Sequence, residues 1–257
     1  MIRAWLELPP MGIFLTLAAL YFGTVVVLRI LAFCPPFSRH MQSLNGIVAP
    51  FFNASAILFA LLAGFLANDI ADRSRQANRA IQAEAGELRN VHTLSVAAVA
   101  DMAAIREALK TYVGSVIADE WPTMMEGHSS PRTTAAYDEL LRKISDPGIA
   151  RTSGNAVHTA LLNAAVRAGN ARTERLAIAS DHTNDLTWIV VIVLGLITEI
   201  SIALVHLDRP RAMTAALVVF ASAAVITLTL VAFQEYPFYG AFRLSPAPIE
   251  AIRALNG

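Results

Sequence analysis

The stretch IVAPFFNASAILFALLAGFLANDIADRSRQANRAIQAEAGELRNV, Ile47 to Val91, decides the fold. Its first half is apolar enough for lipid, with Asn53 as its one strongly polar side chain. Beyond Ala67 the residues become charged, yet no proline or glycine stands between Asn68 and Arg75 to stop a helix. The pattern predicts a helix that leaves the membrane and continues in water. Apolar residues at intervals of three and four extend it through Ile81, Leu88, Val91, Leu94 or Ser95, Val99, Met102, Ile105, Leu109, Val113 and Val116. Trp121 and Pro122 end it. Ile47 to about Ala118 then forms a rod of about 70 residues, roughly 100 Å long at 1.5 Å per residue.

Outward from that rod, three further stretches have the length and apolarity of membrane spans, so the spans are residues 11–33, 47–68, 186–207 and 212–233. The first follows Pro9 and Pro10. Its apolar core is longer than the ~7–15 residues of a cleaved signal, and no small-residue cleavage site follows. Phe33 also spoils LAFC, Leu31 to Cys34, as a lipoprotein box, so the span is read as retained. Downstream of the rod, residues 122–131 read as a loop and 133–144 as a short helix stopped by Asp146, Pro147 and Gly148. A long helix from near Ser153 is expected to run without interruption into the third span.

Composition agrees with a membrane protein: 55% of the residues are hydrophobic and 16% charged, against roughly a quarter charged in ordinary globular chains. Mean hydropathy is +0.51. Lys+Arg and Asp+Glu are equal at 20 each, so no net field recruits nucleic acid. The single cysteine, Cys34, excludes an intramolecular disulfide framework. There is no H-E-x-x-H, G-x-S-x-G, Walker loop or G-x-G-x-x-G, so no enzyme is expected and no cofactor.

The expected fold is all-α and integral to the membrane. A first transmembrane hairpin (1–68), a cytoplasmic helical region (69–185), a second transmembrane hairpin (186–233) and an interfacial tail (234–257) follow one another. The second and third spans continue into the helical region. Arg3, Arg73, Arg75, Arg79, Arg172, Arg175, Arg243 and Arg253 lie near the spans on the side of the termini. Arg39, Arg209 and Arg211 lie on the other. The positive-inside rule places both termini in the cytoplasm, as for a multi-pass protein of a cell's inner membrane.

Two blocks carry a resemblance. One is FALLAGFLANDIADRSRQANRAIQAEAGELRNVH, Phe59 to His92, with Gly64 and Phe65 near the end of a span and Glu84, Ala85, Glu87, Leu88 and Arg89 on the helix beyond. The other is YPFYGAFRLSPAPI, Tyr236 to Ile249, preceded by Glu235. With four spans in a two-plus-two arrangement, the chain resembles the bestrophin-like domain family of bacterial membrane proteins. That resemblance implies an oligomer, with a pentamer as the family's example, built around a pore that passes ions.

Several residues are candidates for chemistry. Ala49, Asn53, Ala56, Ala60, Gly64 (or Ala63) and Ala67 make a small-residue stripe, which in lipid marks close approach of helices. It either packs inside one subunit or lines a pore with Asn53 as polar point and Phe51 or Phe52 as constriction. Glu199 is the one carboxylate deep in a span. It either fastens the third span to the fourth, where Ser222, Thr227 and Thr229 are within reach, or serves as an ion or proton site. Asp69, Asp72, Asp181 and Asp185 fall at one membrane level and would form carboxylate rings in a homo-oligomer, with Arg73, Arg75 and Arg175 near enough to neutralise them. His182 matches no established metal-ligand spacing, and no metal is expected. Two functions compete: an ion channel lined by the second span, and a non-conducting scaffold or sensor whose helical region recruits a partner through its apolar stripe.

Overall fold

A computed structural model of the chain describes residues 2–35, 38, 41, 43, 44, 49–124, 128–240 and 242–255, and only the backbone of residues 49 and 51. Arg39, Ile47 and residues 125–127 of the expected loop lie outside the described residues, as do the side chains of Ala49 and Phe51. The described chain is helical: α1 Ile2–Leu6, α2 Pro10–Phe33, α3 Ala49–Ala97, α4 Ala103–Ser115, α5 Pro131–Ile144, α6 Pro147–Ser153, α7 Asn155–Ser180, α8 Asp185–Val205, α9 Pro210–Ala232 and α10 Ala247–Glu250. A π-helical turn, Val116–Glu120, extends α4. Four of these helices are long and apolar enough to cross a membrane: α2, the leading part of α3, α8 and α9. Two compact units result, residues 1–72 with 183–235, and residues 73–182 with 236–257.

The first unit holds the apolar helices. Proline sits in the first turn of α2 and of α9, where its missing N–H breaks no helical bond. The Asn184 side chain accepts from the Leu186 N–H at 2.9 Å and starts α8. α2 packs against α9 and α8, and α9 against α8. The leading part of α3 joins this group through Phe59, whose ring centroid is 5.5 Å from that of Phe220 on α9. On α1, Trp5 meets Trp188 edge-on at 5.6 Å.

The second unit is a helical bundle with its own core. Leu88 and Val91 of α3, Leu109 and Val113 of α4, Leu140 of α5 and Leu161 of α7 are all buried there. The tail packs into this core: Ile249 and Ile252 are buried, and Phe238 meets Trp121 edge-on at 5.7 Å. Two such side chains, at about 1.5–3 kcal/mol each, are enough to hold a short segment.

Three boundaries differ from the sequence reading, each for a local reason. The rod does not reach Ala118, because α3 ends at Ala97 and α4 begins at Ala103. Asp101 Oδ1 accepts the Ala103 N–H at 2.9 Å and Arg106 donates to the Ser95 carbonyl at 2.9 Å, so side chains close both helix ends. Val99, counted in the apolar stripe, is 96% exposed. Asp146, Pro147 and Gly148 start a helix as well as stopping one: Asp146 Oδ1 caps the Gly148 N–H at 2.7 Å, and Gly154 at φ +86° makes the turn into α7. The third span is not a continuation of α7. α7 ends at Ser180 and α8 starts at Asp185, with Asp181 in extended conformation between them.

His92 of α3 gives the second unit a pH dependence. Burial, then Arg106 and Lys110, hold its imidazole below the ordinary histidine range. The unfolded chain therefore takes up this proton first, near pH 6.5. Stability from this residue is full above that value and is lost as pH falls below it. Melting temperature should decline on acidification from neutral pH, and His92→Gln should flatten the decline; an equally steep profile in the variant would exclude His92 as the cause.

Candidate functional site

On the leading part of α3 the side chains divide between a buried face and a broad exposed one. Phe59, Ala63, Leu66 and Ile70 are buried against the rest of the unit. Ile57, Leu61 and Phe65 are bulky, apolar and 65%, 50% and 62% exposed. Asn53, Ala60 and Gly64 are small or polar and also exposed, and Ala56 and Phe52 stand half-buried at the margin. A Cβ placed on Gly64 would meet no heavy atom of the described residues within 4 Å. The part of the stripe formed by Asn53, Ala60 and Gly64 is therefore not packed against the other described residues.

Glu199 lies in the interior of the first unit. It is fully buried on α8, one turn beyond Gly195. Neither carboxylate oxygen has a hydrogen-bond partner among the described residues. The polar residues beside it on α8 bond back to their own helix, Thr198 to the Leu194 carbonyl at 2.8 Å and Ser201 to Ile197 at 2.9 Å, and on α9 Ser222 donates to its own helix at the Val218 carbonyl, 2.8 Å away. The buried hydroxyl of Thr229 also lacks a partner, and Thr227 is exposed. Glu199 thus does not fasten α8 to α9 by hydrogen bonds.

Beside it, Tyr21 of α2 is fully buried and donates to the Ile192 carbonyl at 3.4 Å. Its hydroxyl occupies the space a side chain at position 195 would need. Gly195 thus permits the close packing of α2 on α8. Gly195→Ala should cost about 1–3 kcal/mol by overpacking, measured as a lower melting temperature in detergent. Tyr21→Phe in the same background should restore part of the loss, and no restoration would count against this contact.

Asp72 accepts from the Asn68 side chain at 3.2 Å and Asp69 is exposed, both on α3. Asp185 opens α8, half-buried. In the second unit Asp181 pairs with Arg73 at 3.6 Å. Arg175, assigned by sequence to neutralising these aspartates, does something else. No group of three or more His, Cys, Asp or Glu suited to a metal occurs among the described residues. His182 Nδ1 lies 3.1 Å from the Ser180 carbonyl.

Sequence reasoning missed two buried clusters. In the second unit Arg175 donates to both oxygens of Glu84, at 2.7 and 3.2 Å, and to Glu120 at 2.9 Å. Arg172 donates to Glu120 at 3.1 Å and to the Thr134 hydroxyl at 3.1 Å, and Tyr112 donates to Glu84 at 2.7 Å. The Arg175 guanidinium also lies 5.4 Å from the Trp121 ring centroid. Burial opposes its charge, but Glu84 and Glu120 outweigh burial and hold it above the ordinary arginine value. Burial and the Glu84 carboxylate push the Tyr112 phenol well up. In the first unit Glu235 accepts from the Thr183 N–H at 2.7 Å, the Thr183 hydroxyl at 3.0 Å and Trp188 Nε1 at 3.2 Å. It holds the start of α8 to the end of α9.

A signal for the first cluster exists in the sequence. Glu84 falls in register with Ala77, Ala80, Ile81, Leu88 and Val91, and Arg172 and Arg175 with Leu161, Ala164, Ala165 and Ala168. Charges of opposite sign on apolar faces of two helices anticipate a buried pair.

A family profile for the Bestrophin-like domain matches residues 11–249 of the chain. No curated protein sequence matches it. Among solved structures, a bacterial bestrophin homologue from Klebsiella pneumoniae, phased on zinc, is similar with a TM-score of 0.66 at 14% identity, covering 90% of this chain and 95% of its own. A single-substitution variant of a bacterial bestrophin homologue from Klebsiella pneumoniae gives 0.71 at 14%, covering 94% and 98%. A variant described as a membrane protein gives 0.71 at 14%, covering 94% and 96%. At that identity the likeness is one of fold.

Proposed function

The chain belongs to the bestrophin-like family, and from that premise we propose that it is one subunit of a homo-oligomeric ion channel in a bacterial inner membrane, with α3 lining the pore. The observation that carries this reading is the uncovered face of Asn53, Ala60 and Gly64. Small residues leave room for an aqueous path, Asn53 supplies a polar point within it, and Phe52 narrows it. Ile57, three and four residues from Ala60 and Asn53, falls on the same face as an apolar narrowing, while Leu61 and Phe65, further round the helix, suit lipid or a neighbouring copy. Asp69 and Asp72, just beyond the apolar stretch of the same helix, would repeat around the axis as rings of carboxylate at the mouth. The arginine distribution supports cytoplasmic termini and a cytoplasmic helical unit.

The competing scaffold reading drew on an apolar stripe available to partners. Leu88, Leu109, Val113 and Val116 are buried within the second unit, which removes that support. Purified protein reconstituted in liposomes should pass ions, and a projection along the membrane normal should reveal a ring with a central opening. Intact oligomers that leave the liposomes impermeable would overturn the proposal.

A further inference from the structure

Glu199 is a carboxyl group that no described residue holds by a hydrogen bond. It is fully buried, both oxygens lack partners among the described residues, and it lies in a helix apolar enough to span a membrane. The other buried carboxylates, Glu84, Glu120 and Glu235, all accept hydrogen bonds. On the helices packed against α8, the titratable or charged groups are Arg3 of α1, Tyr21 and Arg29 of α2, and Arg211 of α9. The three arginines are exposed, and only Tyr21 is buried within electrostatic reach of Glu199. Among the described residues of these packed helices, no buried cation is therefore available to balance an ionised carboxylate. An uncompensated charge at such a place binds a proton instead.

We propose that Glu199 is a proton-binding site controlled by the packing of α2 on α8. While Tyr21 is seated on Gly195, water is kept away and the carboxyl oxygen keeps its proton. When that contact opens, water enters, the O–H bond breaks and the proton passes to water, leaving the carboxylate hydrated. This inference goes beyond conduction and does not rest on it.

Infrared spectroscopy of the full protein in lipid tests it. The wild type at neutral pH should show the carbonyl stretch of a protonated carboxylic acid. Glu199→Gln should abolish that band, and Glu199→Asp should move it. Tyr21→Leu and Gly195→Ala, which disturb the seat from its two sides, should each make the band disappear at a lower pH than in the wild type. A wild-type spectrum without the band, or a band that survives in Glu199→Gln, overturns the site. A band that titrates identically in both seat variants overturns its control by α2. Ion flux in the same vesicles is read separately: a missing band with flux intact leaves the pore standing, and a band without flux does the reverse.

Discussion

Arg175→Met should unfold the helical unit formed by residues 73–182 and 236–257. Arg175 is fully buried and, among the described residues, is the one cation that reaches both Glu84 and Glu120. Methionine fills a similar volume but leaves Glu84 with the Tyr112 hydroxyl alone and Glu120 with Arg172 alone. Removing one partner of a buried ion pair costs about 3–5 kcal/mol, because the abandoned charge stays buried, and that is a large part of a typical domain's stability. The readout is melting temperature and resistance to limited proteolysis in detergent. Arg175→Lys should fall between the two, since it restores charge without the planar fork that serves two carboxylates. Replacing Glu84, Glu120, Arg172 and Arg175 together by methionine should recover much of the loss, because then no unpaired charge remains. A single variant that melts like the wild type would show that these pairs do not hold the unit.

Gly64→Phe should abolish ion flux while leaving the oligomer intact. Nothing among the described residues lies where the new side chain would begin, so the fold of the single chain has no reason to suffer. The three possible surroundings of this face then give three separate results. A pore is blocked and the ring survives; an interface between copies is pushed apart and the oligomer dissociates; a lipid-facing surface changes neither. Asn53→Leu is the companion variant. It removes the polar point from the same face and should cut flux by dewetting without blocking the path sterically. Flux unchanged in both variants would move the pore away from α3.

The apolar helices were legible because lipid demands long runs of apolar residues with backbone bonds satisfied internally, and such runs stand out in any chain. The start of α8 was less legible. Asn184 caps it locally, but the break before it depends on Glu235, which is 52 residues from Thr183 in sequence. The break in the rod near residues 98–102 was hidden for a related reason: Val99 kept the apolar interval while pointing to solvent. Ser95 and Arg106, whose bond closes the end of α3, are eleven residues apart.

By itself the sequence determined that this is an all-helical membrane protein, where its apolar helices lie and to which family it belongs. Those properties are written in composition, in local periodicity and in short motifs. Only the tertiary structure decided which face of α3 the described residues leave uncovered, that Glu199 has no hydrogen-bond partner among them, and that Glu84, Glu120, Arg172 and Arg175 form one buried network. These depend on contacts between helices far apart in the chain. A glutamate in a helical pattern looks the same in sequence whether an arginine 91 residues away meets it, as at Glu84 and Arg175, or no described residue bonds to it, as at Glu199.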